Sequence, residues 1–269
     1  MNRPDLRLCR SLLFLPASNP RAIEKAGSLD ADLIVLDLED SVKEEDKAAA
    51  RAAAAAATQQ GFGGRPTAIR INPPGTLHYG EDVVAVRHSG ADYIILAKAE
   101  SAKEVHDAGW LMGRPVLAMV ETPQAVIDAA AVAKGSHGLI AGTNDLSAAL
   151  GLPAGGGRQG LVYALQRIVL AARAAGVPAF DGVHNGLEAD EGLEAECAEG
   201  RAWGFDGKSV IHPSQIETAN RIFSPTDAEL GAARRLIEAA TGGAERHDGR
   251  MIEALHVDQA HALIAKGRR

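Results

Sequence analysis

A short apolar run followed by a helix-like stretch recurs eight times between Ser11 and Phe223, and no other feature limits the possible folds so strongly. The runs are SLLFLPA from Ser11, LIVLDL from Leu33, TAIRIN from Thr67, YIILAK from Tyr93, PVLAMVE from Pro115, GLIAGTND from Gly138, VPAFDG from Val177 and GKSVIHP from Gly207. Continuous apolar runs of this length suit strands covered on both faces, as in a parallel sheet, rather than strands with one wet face. The intervening segments 20–28, 43–60, 81–89, 101–110, 123–134, 161–175, 187–203 and 215–223 read as helices. Pro20 behind Asn19, and Pro123 behind Thr122, put a proline in a first helical turn after a capping residue. The alanine run around Arg51 reads as helix too, since alanine has the highest helix propensity.

Eight strand–helix units predict an α/β chain folded as a (β/α)8 TIM barrel over residues 1–225. A doubly wound open sheet, the alternative, normally carries a glycine-rich phosphate turn after its first strand, and LPASNP is not one. Two further helices, in SPTDAELGAARRLIEAATGG and DGRMIEALHVDQAHALIAKG, make a C-terminal helical extension over residues 226–269. Ile252, Leu255, Ala260, Leu263 and Ile264 form one apolar face in the second of them. That face needs a covering surface, on its own barrel or on a neighbouring subunit.

Composition narrows the class. Hydrophobic residues are 46% of the chain but aromatics only 4%, so Ala, Leu, Val and Ile must fill the core. The net charge is −7 and no basic stripe occurs, which argues against nucleic acid. No apolar run approaches the roughly 20 residues of a membrane span. Pro16 breaks the N-terminal apolar run without a convincing cleavage site, so a signal peptide is not expected. Cys9 and Cys197 have neither metal-ligand nor redox spacing, which fits reduced thiols in a cytoplasmic protein.

In a barrel of this kind, catalytic groups stand at the C-terminal ends of strands. Those ends carry Asp37, Glu39 and Asp40; Arg70 and Asn72; Lys98 and Glu100; Glu121; Asn144 and Asp145; Asp181; and His212, with Lys208 nearby. Carboxylates converging on one mouth repel each other unless a cation or protons intervene. Glu121 and Asp145, on adjacent strands, suit Mg2+, which commonly takes one or two protein carboxylates and leaves positions for water and substrate oxygens. Arg70 offers a planar fork to a substrate carboxylate. A 2-hydroxy or 2-oxo acid fits that pairing. The glycines of segment 152–160 lack the Lys-Ser/Thr of a phosphate loop and read as a mobile loop at the mouth. His78, His137, His184, His212 and His256 show no ligand spacing.

RSLLFLPASNP, DLIVLDLEDSVKEEDKAAAR, IRINPPGT, ILAKAES, ETPQAV, IAGTNDLSAALG and GFDGKSVIHPSQI, in that order, resemble the citrate lyase beta-subunit (CitE-like) group of the HpcH/HpaI aldolase superfamily. The resemblance runs from Arg10 to about Pro225 and implies a Mg2+-dependent carbon–carbon lyase for a CoA thioester of the citryl-, malyl- or citramalyl-CoA type. The products would be acetyl-CoA, or a related acyl-CoA, and a 2-oxo acid. It implies Glu121 and Asp145 as metal ligands and Arg70 as the carboxylate anchor, with Glu121 also facing substrate through the metal. Glu39 and Asp40 would orient Arg70 or metal-bound water, with Asp37 and Lys98 supporting them. It also implies a trimer or hexamer, with the C-terminal extension of residues 226–269 at a subunit interface.

The family carries a C-terminal Asp in an MID-like motif, often contributed by a neighbouring subunit. Here Glu253 of GRMIEALHVDQ stands at that place, with Asp258 as a nearby substitute. The departure bears on condensing and thioester-hydrolysing chemistry more than on cleavage. Two other readings stay open: a beta subunit that acts only inside a citrate-lyase-like complex on a carrier-bound acyl group, and a CoA-independent pyruvate aldolase.

Overall fold

The computed structural model describes residues 5–247 and 250–267. Strands β1 (Ser11–Pro16), β2 (Leu33–Asp37), β3 (Thr67–Ile71), β4 (Tyr93–Leu96), β5 (Val116–Val120), β6 (Gly138–Ala141), β7 (Ala179–Asp181) and β8 (Gly207–Val210) each pair in parallel with the next, and β8 pairs with β1. The sheet closes on itself, giving the expected (β/α)8 barrel. Alternation within each strand explains the unbroken apolar runs. Leu12, Phe14, Val35 and Met119 point inward and fill the barrel, whereas Leu13, Leu15, Ile34 and Leu36 point outward into the layer under the helices.

That outer layer consists of α1 (Pro20–Ala26), α2 (Lys47–Gln60), α3 (Tyr79–Arg87), α4 (Ala102–Met112), α5 (Pro123–Ile127), α6 (Ala129–Gly135), α7 (Thr143–Ala149), α8 (Val162–Ala175), α9 (Glu191–Ala202) and α10 (Gln215–Phe223). The expected caps form: Asn19 accepts from the Ala22 amide, and Thr122 from the Ala125 amide. Boundaries shift from the sequence reading, three of them with a consequence for the site or the packing. Glu44–Asp46 is a 3-10 turn, so α2 begins only at Lys47. The segment from Pro123 breaks at Asp128, an unfavourable helix-interior residue, into α5 and α6. The run from Gly138 stops at Ala141, and Thr143, Asn144 and Asp145 form the first turn of α7 instead of a strand end.

After the barrel come α11 (Asp227–Ala239), an antiparallel pair of β9 (Glu245–His247) and β10 (Arg250–Ile252), and α12 (Ala254–Lys266). The expected last helix is therefore shorter, and Ile252 is buried from a strand rather than from a helix face. Asp248 and Gly249, which the helical reading included, lie outside the described residues. Helix α12 packs on α11 and on the turn Leu6–Leu8 ahead of β1. Lys266 Nζ donates to the carbonyl of Asp206, one residue before β8, at 2.5 Å. The extension thus covers the base of its own barrel, while Met251 and Leu255 stay exposed.

Candidate active site

Arg70 and Asp37 are register partners on β3 and β2, and both point into the barrel. Asp37 accepts from Arg70 Nε at 2.6 Å and Nη2 at 2.5 Å, from the Glu39 amide at 2.9 Å and from the Ser41 hydroxyl. Burial alone would raise the pKa of Asp37, but the charge of Arg70 and these hydrogen bonds outweigh it and hold the carboxyl below its usual range. Arg70 Nη1 lies 3.1 Å from Glu39 Oε2 and 3.7 Å from Met119 Sδ, and the guanidinium carbon sits 5.5 Å from the centre of the Phe14 ring. The Nε–Nη2 fork is therefore occupied by Asp37, and the edge left for a ligand is Nη1–Nη2, shared at Nη1 with Glu39 and Met119. The sequence reading assigned the fork without that division.

Lys98 joins the two halves of the site. It follows β4 with φ at 50°, the only positive φ outside glycine among the described residues. A left-handed conformation costs a side-chain-bearing residue about 1–2 kcal/mol. It lets the Lys98 amide reach Glu121 Oε1 at 2.7 Å while the ammonium lies 2.5 Å from Glu39 Oε1 and 3.4 Å from Asp40 Oδ2. Burial raises the pKa of Glu39, and the neighbouring Asp40 adds to the effect, against the pull of Arg70 and Lys98.

Glu121, just past β5, is 1% exposed. Burial first, then the charge of Glu39 and that of Asp145, push its pKa up to about 8. Its neighbour just past the next strand, β6, is Gly142, where a Cβ would stand 2.2 Å from the Glu121 Cβ and 2.5 Å from Oε2. Glycine is needed there for β6 to end against the carboxylate. Asp145 in α7 adds a second carboxylate to the same cavity.

That cavity has a volume of about 380 Å3 at the C-terminal mouth of the barrel. It brings together Asp37, Asp40, Arg70, Glu121 and Asp145, over apolar walls that include Phe14, Met119 and Ile211. Glu39 and Lys98 stand directly behind, bonded to the lining residues. No group of three His, Cys, Asp or Glu side chains is placed to hold a metal ion together among the described residues. Mg2+ does not require one: two carboxylates plus waters and substrate oxygens suffice. Glu121 and Asp145 offer such a pair, and a hard cation would relieve the burial and the neighbouring negative charge that together raise the Glu121 pKa.

Several strand-end residues are not in this cavity. Asp181 points outward and is fully buried under α9, where it accepts from Arg158 Nη2 at 2.5 Å and lies 3.4 Å from Lys208 Nζ. Asn72 is bonded to Lys47 and Asp82, Glu100 accepts from the Thr122 hydroxyl, and His212 pairs with Ser214. Glu253 is the N-cap residue of α12, its amide donating to His256 Nδ1 at 3.0 Å, and it does not line the mouth of its own barrel. The glycine-rich segment borders a second cavity of about 560 Å3, which shares Thr143, Asn144 and Val183 with the first. The expected mobile loop is pinned at its end: Arg158 binds Asp181 and lies 5.0 Å from the Trp203 ring. Ser209, on β8, is a cavity-lining residue that the strand-end rule missed because it stands below the strand's last position.

The chain is 40% identical to the (3S)-malyl-CoA thioesterase of Cereibacter sphaeroides, over 96% of this chain and 94% of that one. The Mycobacterium tuberculosis protein CitE, solved with magnesium, acetoacetate and coenzyme A, matches with a TM-score of 0.84 at 34% identity, covering 98% of this chain and all of that one. The M. tuberculosis citrate lyase beta subunit, complexed with oxaloacetate and magnesium, matches with a TM-score of 0.73 at 36% identity, over 82% and 99% of the two chains. Residues 10–213 match the family model described as HpcH/HpaI aldolase/citrate lyase, and the chain belongs to that family.

Proposed function

We propose that this chain is a cytoplasmic, Mg2+-dependent carbon–carbon lyase that cleaves a 3-hydroxyacyl-CoA thioester of the malyl-, citramalyl- or citryl-CoA type into an acyl-CoA and a 2-oxo acid. One observation carries the reading: the free edge of a clamped Arg70 shares a small cavity with the carboxylates of Glu121 and Asp145. A guanidinium edge and a cation-binding pair, side by side, match the carboxylate and the adjacent oxygen of a 2-oxo acid. The magnesium and coenzyme A of the M. tuberculosis structure support it by likeness.

The residues divide the work. Asp37 and Glu39 fix the plane of Arg70, whose Nη1–Nη2 edge takes the substrate carboxylate. Phe14 and Met119 keep water from beneath it and strengthen its charge interactions. Lys98 orients Glu121 through its amide and neutralises Glu39 and Asp40 through its ammonium. Bound to Glu121 and Asp145, Mg2+ would supply Lewis-acid polarisation of the oxygen that becomes the ketone. Cleavage removes the substrate hydroxyl proton, breaks the carbon–carbon bond and leaves the acyl-CoA carbon to be protonated. Glu253 of an adjoining subunit, in a trimer or hexamer, is our candidate for proton transfer at that carbon.

Hydrolysis of the thioester is the second reading, favoured by the 40% identity to a malyl-CoA thioesterase. Incubating the purified chain alone with malyl-CoA and Mg2+ separates the two. A lyase releases glyoxylate and acetyl-CoA without free thiol; a hydrolase releases malate with one free thiol per turnover. Inactivity on every CoA thioester, with turnover restored by an acyl-carrier partner or seen with pyruvate and an aldehyde, refutes both.

A further inference from the structure

The carboxylate anchored by Arg70 needs more donors than one guanidinium edge, because a carboxylate accepts about four hydrogen bonds. The side chains of the cavity have few to give. Its charged lining other than Arg70 is entirely acidic: Asp37, Asp40, Glu121 and Asp145. Of its side-chain hydrogen-bond donors, Ser41 is committed to Asp37, and Asn144 exchanges hydrogen bonds of 3.0 and 2.8 Å with Asn185. Two hydroxyls remain, Thr143 Oγ1 and Ser209 Oγ. Each is buried, and neither finds a hydrogen-bond partner among the described residues. A buried polar group left unpaired costs about 1–3 kcal/mol, so it is expected to have a partner in the working state.

Position separates the two hydroxyls. Thr143 stands two residues before Asp145 in the first turn of α7, on the side of the proposed metal ligands. Ser209 is 2% exposed and comes from β8, where its register partner is Leu12 of the barrel interior. Strand β1, beside it, carries Phe14, the ring under the Arg70 guanidinium.

We propose that Ser209 is a substrate-binding residue, its Oγ donating a hydrogen bond to the 2-oxo acid carboxylate held by Arg70. The inference rests on the 2-oxo acid reading given above and gives a role to Ser209 of the GFDGKSVIHPSQI motif, to which the resemblance assigned none. It is tested with the full-length chain, Mg2+ and glyoxylate or pyruvate by titration calorimetry. Ser209→Ala removes one hydroxyl and adds nothing that could clash. It should weaken both 2-oxo acids roughly tenfold, the effect of losing a hydrogen bond to a charged group. Mg2+ affinity should stay at the parental value, and in turnover assays KM for the oxo acid should rise more than kcat falls. Unchanged oxo-acid affinity would overturn the proposal, and so would a parallel loss of Mg2+ binding, which would assign the hydroxyl to the metal's surroundings. A parent chain that binds no 2-oxo acid at all would instead remove the functional reading on which the proposal stands.

Discussion

Glu121→Gln is expected to make the metal-free protein more stable while removing its response to Mg2+. The carboxyl is 1% exposed, and its pKa stands at about 8 in the fold against an ordinary value of 4.5. At about pH 7.5 such a difference opposes folding by up to about 4 kcal/mol, because ionised Glu121 is favoured only in the unfolded chain. Gln keeps the length of the side chain and an oxygen for the Lys98 amide, which donates at 2.7 Å. It adds a buried amide group that needs its own partner, so we expect about half of the figure to be recovered. A gain of about 2 kcal/mol raises Tm by roughly 4–8 °C in a chain of this size. The pH dependence has a definite sign. The folded pKa lies above the unfolded one, so the penalty is absent below about pH 4.5, grows up to about pH 8 and is constant above. The advantage of the variant should vanish in acid. Differential scanning calorimetry of EDTA-treated proteins, with and without added Mg2+, reads both effects. A metal-free variant melting at or below the parent at pH 7.5 would show that the buried charge is not a burden. A full Mg2+-induced rise in Tm would show that Glu121 is not a ligand.

Asp145→Asn should lower Mg2+ affinity at least about tenfold with unchanged far-ultraviolet circular dichroism; an unaltered Mg2+ titration would exclude Asp145 from the site. Arg70→Lys loses the paired contact with Asp37 as well as the edge offered to substrate, and should weaken glyoxylate binding by about 1.5–3 kcal/mol. Equal affinity in that variant would leave Arg70 a purely structural partner of Asp37. Truncation after Gly243 removes α12 from α11 and from the turn Leu6–Leu8, so it should lower Tm yet leave a barrel that still binds Mg2+. It should also abolish turnover or assembly, while full-length Glu253→Gln keeps the parental elution volume and slows cleavage and its reverse, condensation, by the same factor. Full turnover in the truncated chain would mean that Glu253 has no catalytic part.

Both the legible and the illegible parts of this fold come from the same physics. Strands covered on both faces write themselves as apolar runs, so the eight strands and their order stood out. The same double burial hides which way a polar residue points, since neither face of the strand is marked as wet. Asp37 and Asp181 are both last residues of such strands. Asp37 faces inward and clamps Arg70, whereas Asp181 faces outward and pairs with Arg158 and Lys208 beneath α9. Only the barrel register decides between them. Ser209 escaped for a related reason: one small hydroxyl inside a strand reads as tolerated polarity, and its lack of a partner is a three-dimensional fact. The hairpin before α12 was hidden by an apolar spacing compatible with a helix, in which Ile252 takes its place from a strand.

The charge distribution also orders the binding events. Five carboxylates, those of Asp37, Glu39, Asp40, Glu121 and Asp145, surround the mouth against two cations, Arg70 and Lys98, both already engaged by them. An anionic 2-oxo acid approaching this arrangement meets net repulsion, and the free edge of Arg70 is a weak attractor while Asp37 and Glu39 hold its other side. A divalent cation on Glu121 and Asp145, as proposed, would offset most of the excess negative charge and return Glu121 to its ionised form. The same event gives the incoming oxygen atoms a second positive centre beside the guanidinium. Under the proposed function, metal first and oxo acid second is therefore the order expected. The left-handed Lys98 serves that order, since one strained residue holds Glu121 by its amide for the metal and neutralises Glu39 and Asp40 by its ammonium.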